Sequence, residues 1–136
     1  MTQVIIYNQD NGTVAIIRPT EEALAAMTIE QIAAKDVPAG VPFQIVDAAT
    51  IPSDRAFRNA WKEDLTVDMP KAQGITKERL RVERAPLLTA LDVQYQRAQE
   101  DGRDTTIIIS EKQRLRDVTK LADKATTLDE LKALSA

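Results

Sequence analysis

The chain has no cysteine and no histidine, only four glycines, and aromatic side chains make up just 4% of its 136 residues. Without cysteine there is no disulfide framework, no thiolate nucleophile and no zinc–thiolate site. Without histidine the Ser-His-Asp arrangement, imidazole metal ligation and the commonest general base at neutral pH are all excluded. The glycines stand apart at positions 12, 40, 74 and 102, so neither G-x-G-x-x-G nor the P-loop pattern can be written. No run approaches the roughly 20 apolar residues that span a bilayer. The opening, Met1 to Asp10, lacks the basic stretch and long apolar core of a secretory signal. These absences predict a soluble, cytoplasmically made protein with no cofactor, no membrane attachment and no enzymatic chemistry.

With so few aromatics, the core has to be built from Ile, Val, Leu and Ala. Hydrophobic residues are 43% and charged residues 29%, an ordinary globular balance. The net charge of −3 is unevenly spread: residues 1–70 carry −5 and the remainder +2. A pI ≈ 5.0 argues against a nucleic-acid-coating protein, which shows a basic stripe and a high pI. Lys77, Arg79, Arg81 and Arg84 form a basic cluster, and Lys112, Arg114 and Arg116 a second one. Glu78 and Glu83 interleave the first, which reads as a solvated helix face in preference to a phosphate-binding one. The acidic pairs Asp64 with Asp68 and Asp129 with Glu130 fall at a linker edge and in a helix's first turn, where carboxylates complement the helix dipole.

The first third reads as strands and short helices. Val4–Tyr7 and Thr13–Ile17 flank Asn11-Gly12, which predicts a hairpin with a two-residue turn pairing Tyr7 with Ile16 and Ile6 with Ile17. Both faces of that hairpin are apolar, so each needs a cover. Thr20 can cap a short helix over 21–25. Thr28 and Gln31 have capping-box spacing and open a second helix over about 29–35. Pro38, Gly40 and Pro42 form a turn before a third strand at Phe43–Val46. Ser53 then predicts a helix from Asp54 to about Asp64, with Phe57, Trp61 and Leu65 on one face anchoring it on the sheet.

Residues 66–74 lose periodicity and read as a linker. Beyond it, Leu80, Leu87, Leu88, Leu91, Tyr95 and Ala98 recur three or four apart, the pattern of a helical stripe. Pro86 should kink that helix or start a new one, and Asp101-Gly102 ends it. A return helix follows over about 106–122, with Ile108, Leu115, Val118 and Ala122 on one side. Thr127 and Glu130 make a second capping box for a last short helix. The predicted fold is α+β: a small N-terminal β-hairpin sheet with short helices over 1–65, a linker over 66–74, and an antiparallel α-helical hairpin over 75–136. The stripe is narrow, so apolar surface is left for a partner. The candidate partner-binding residues are Leu80, Leu87, Leu91 and Tyr95 on one helix, and Ile108, Leu115 and Val118 on the other.

Two stretches, Met27–Asp47 and Ile51–Trp61, resemble small proteins that tailed bacteriophages and prophages encode near their tail-fibre genes. The second half is similar to the same family over residues 85–98, 111–118 and 127–134, although the chain ends Leu134-Ser-Ala where the family carries Trp-Pro. Such proteins are described as tail-associated or tail-assembly proteins of unassigned activity. The resemblance covers most of the chain and carries no catalytic motif. It implies a bacteriophage tail or tail-fibre component, or its assembly factor, found in the virion or the bacterial host cytoplasm. The implied partners are other phage tail or fibre proteins, or further copies of the chain as a homo-oligomer. Two alternatives remain open on sequence: an inhibitor of a host enzyme or defence complex acting through the acidic first half, and a nucleic-acid-binding module using the two basic clusters.

Overall fold

In the computed structural model, which describes residues 2–136, the chain divides into two units between Asp68 and Met69. The first is built on an antiparallel sheet of β1 (Gln3–Asn8), β2 (Val14–Ile17) and β3 (Phe43–Asp47), in the order β2-β1-β3. The hairpin is present, but its loop has three residues and its register is shifted by one from the expected pairing. Ile6 faces Ile16 and Tyr7 faces Ala15. The cause is a tight turn in which the Gly12 N–H donates to the Gln9 carbonyl at 2.9 Å, before Gln9 and Thr13 close the ladder. Gly12 takes φ 81, the left-handed position that a three-residue loop of this kind requires.

Strand alternation sends the two sets of β1 side chains into two different layers. Val4 and Ile6 pack with Val14, Ile51 and Trp61. Ile5 packs on the other face with Ile29, Ile32, Ala33 and Val37. The latter come from α2 (Ile29–Asp36), which starts at a complete capping box between Thr28 and Gln31. Before it, α1 (Glu21–Ala26) starts where the Thr20 side chain accepts from the Ala23 amide. Both faces of the sheet are covered, as the two-sided apolar pattern required.

The helix expected over 54–64 is absent. A single 3-10 turn at Arg58–Ala60 stands in its place, and Trp61 bridges Val67 in a second, minimal hairpin. Asp54 and Asp64 explain the failure. Each turns its carboxylate onto a backbone amide two residues ahead, Ala56 and Thr66 respectively, at 3.0 Å. Such local bonds compete directly with the helical ladder. Phe57 and Trp61 are nonetheless buried, so their anchoring role holds while the backbone that delivers them differs. The expected linker is also divided: 66–68 close this bridge, and Met69 already begins α3.

In the second unit α3 (Met69–Glu100) runs through Pro86 as one element of 32 residues. It ends with Arg103 N–H bonded to the Ala98 carbonyl and Gly102 N–H to Gln99, with Gly102 at φ 69; these are the paired bonds of a Schellman motif. The return segment is helical as expected but broken in two, α4 (Thr106–Asp117) and α5 (Lys120–Lys124), followed by α6 (Leu128–Ala133). Thr127 caps α6 through the Glu130 amide at 3.2 Å, while the Glu130 carboxylate reaches back one residue further than expected, to the Thr126 N–H at 2.8 Å. All three short helices pack on α3. Their shared core is Ala72, Thr76, Leu80 and Ala98 from α3, with Leu115, Val118, Ala122, Ala125 and Leu131 from the return.

Candidate protein-binding surface

The seven residues expected to meet a partner separate into two groups. Leu80, Leu115 and Val118 are at most 2% exposed, so they form the interior of the helical unit and present nothing to a partner. The reason is the return path: α5 and α6 double back over the N-terminal half of α3 and use up the stripe there. Leu91, Tyr95 and Ile108 are half-buried, and Leu87 is exposed. The apolar surface that sequence spacing missed lies off the stripe, at Val82, Val93, Ile107, Ile109 and Leu121. One signal for it was present: three consecutive isoleucines, 107–109, cannot all point to one side of a helix.

The basic residues have structural occupations. The Arg84 guanidinium donates to the Arg116 carbonyl at 2.9 Å and the Leu115 carbonyl at 3.4 Å, at the end of α4. Arg79 donates to the Leu131 carbonyl at 3.0 Å, near the end of α6, and also pairs with Glu83. These carbonyls lie in the last turns of their helices, where Leu115 and Leu131 also accept from the Val118 and Leu134 N–H groups, and a cation there complements the dipole. Lys77 pairs with Asp123, Arg81 with Glu78, and Arg114 with Glu111. Of the first basic cluster, Arg84, Lys77 and Arg79 therefore tie α4, α5 and α6 to α3, while Arg81 pairs within α3.

One surface combines apolar groups with a cation that has no such occupation, Arg116. Ile109, Lys112 and Arg116 lie three and four residues apart, on one side of α4. With Tyr95 of α3 they line an open groove. Lys112 Nζ sits 5.1 Å from the centre of the Tyr95 ring and 2.7 Å from Asp92. Among the described residues the Arg116 side chain meets no acceptor. Ile109 is 50% exposed. The groove is thus lined by two apolar side chains, Tyr95 and Ile109, by Lys112, whose side chain is 16% exposed and paired with Asp92, and by the exposed Arg116.

In the first unit, a cavity between Ile6, Val14, Phe43 and Glu63 measures ≈ 40 Å³; that volume admits roughly two or three waters and no metabolite. Among the described residues no group of three or more acidic side chains converges as a metal site, and no helix is long and apolar enough to cross a membrane. Compared with known protein families, curated proteins and solved structures, the chain matches none.

Proposed function

We propose that this is a non-enzymatic protein-interaction protein, a bacteriophage tail or tail-fibre component or a factor that assembles one. It would act in the virion or in the cytoplasm of the infected bacterial host. The observation that carries the interaction reading is the α3–α4 groove lined by Tyr95, Ile109, Lys112 and Arg116. Aromatic and arginine side chains are what binding surfaces concentrate, because they combine large contact area with directional polar groups. The resemblance of residues 27–47, 51–61, 85–98, 111–118 and 127–134 to phage tail-associated proteins supplies the setting. Nucleic acid is disfavoured as a partner, since most of the cations it would need already serve helix ends and ion pairs.

Mass spectrometry of gradient-purified virions from the source phage or induced prophage tests this reading. A stoichiometric copy number is the expected result for a structural tail or fibre component. Absence from particles, with expression in the infected cell, would transfer the role to an assembly factor or a host-directed inhibitor.

A further inference from the structure

We propose that two copies of this chain join through the open edge of β3, pairing antiparallel about Ile45 into one six-stranded sheet. The inference stands apart from the α3–α4 groove, because every contact it uses lies within the first unit.

In the order β2-β1-β3 the outer side of β3 has no neighbouring strand. The Ala48 N–H donates to the Thr2 carbonyl at 2.7 Å, and the register continues through Gln3 with Asp47 to Tyr7 with Phe43. Antiparallel bonding alternates along a strand, so Gln44 and Val46 bond to β1 while Phe43, Ile45 and Asp47 turn their backbone groups outward. Among the described residues nothing meets the outward N–H and C=O groups of Phe43 or Ile45. The Asp47 carbonyl accepts from the Thr50 hydroxyl at 2.6 Å and keeps a second lone pair. Another extended strand is what satisfies such a row. No lysine or arginine stands on β3 to repel one, and its Phe43 is 42% exposed.

The symmetry of the strand selects a second copy as the occupant. Ile45 is the middle of its five residues. In an antiparallel pair centred there, positions 43, 45 and 47 meet 47, 45 and 43 of the second copy, and every outward N–H faces a carbonyl. Ile17, Ile5 and Ile45 already stand side by side across the sheet, on the face that α2 covers. The two-fold axis continues that row into the same three residues of the second copy, six β-branched side chains in register. Each Phe43 comes to lie opposite an Asp47, so no like charges face one another. The β2 edge offers less. Only Val14 and Ile16 of that strand point outward, and Arg18 and Pro19 follow them; charge and proline both blunt an edge.

Sedimentation equilibrium on the full chain, across a wide concentration range, reads the association, and amide hydrogen exchange reads the edge. The expected result is a monomer–dimer equilibrium in which the Phe43 and Ile45 amides slow at least about tenfold as the dimer fills. The Val14 and Ile16 amides should keep their monomer rates. Two variants check the register, since position 43 faces Asp47. Phe43→Asp sets like charges opposite one another twice, while Phe43→Lys loses the same ring and sets opposite charges there. The lysine variant should therefore associate on the order of tenfold more tightly than the aspartate one, with circular dichroism showing that both are folded. Should either variant unfold, exchange on the unsubstituted chain decides alone. A monomeric mass at every concentration overturns the proposal, as does a dimer whose Ile45 amide exchanges at the monomer rate. Equal dissociation constants for the two folded variants would overturn it too. None of these outcomes touches the groove reading, which the virion measurement tests separately.

Discussion

Among the described residues Leu65 is the one non-glycine with positive φ, at 66, and the structure shows why it is tolerated. Its loop repeats the first hairpin's turn bond for bond. Lys62 N–H meets the Thr66 carbonyl and Leu65 N–H the Lys62 carbonyl, as Gln9 meets Thr13 and Gly12 meets Gln9. Asn11 and Asp64 each accept from the amide and hydroxyl of the threonine two residues on. Leu65 therefore occupies the position that Gly12 fills in the first turn. It bears the steric cost because its side chain packs against the cluster holding Trp61. Two substitutions separate these terms. Leu65→Ala loses packing and keeps the strain, for a cost of about 2 kcal/mol. Leu65→Gly loses the same packing but relieves the left-handed penalty, so it should cost about 1 kcal/mol less. Urea denaturation measures both, and an alanine variant more stable than the glycine one would refute the strain assignment. Sequence spacing hid this residue: Phe57, Trp61 and Leu65 fall four apart, which imitates a helical face.

Among elements, the starts were the most legible. Thr20, Thr28 and Thr127 each cap the helix that their spacing announced, because a cap is a local bond that needs no tertiary partner. The hairpin register and the 54–64 segment were not legible, since each turns on competition between equally local bonds. Pro86 shows the converse, a local preference overridden. It removes the N–H that would bond the Val82 carbonyl, yet α3 continues to Glu100. Packing of α4, α5 and α6 along α3 is strong enough to hold the turn without it. Pro86→Ala restores the missing donor and should stabilise the helical unit by about 1–3 kcal/mol, raising its thermal midpoint. Pro86 is exposed, so little packing is lost to offset the gain. A lowered midpoint in thermal denaturation would mean that the proline ring contributes contacts worth more than the bond.

At the scale of the whole molecule, the α+β order was legible because both units rest on periodicity, two in the first and near 3.6 in the second. The candidate surface was legible only in part. A stripe identifies what a helix can bury, and only the return path of α5 and α6 decides which part of it is used. Charge distinguishes the units too. Carboxyl groups held below their usual range are Asp64 in the first unit and Glu83, Asp104, Glu111 and Asp117 in the second. The causes are local: the Thr66 hydroxyl for Asp64, Arg79 for Glu83, the Thr106 hydroxyl for Asp104, Arg114 for Glu111, and Gln113 then Lys120 for Asp117. A depressed folded value means that each contributes stability in full above its unfolded pKa, and loses it as pH falls through the folded one. The unfolded values are 4.5 for the glutamates and 3.8 for the aspartates. Helical circular dichroism should therefore hold from neutral pH down to about 4.5 and decline only below it, as these four groups in the helical unit protonate. Carboxyl-carbon NMR titration assigns the steps residue by residue. Loss of helix with a midpoint above 4.5 would show that other groups carry the acid sensitivity of this unit.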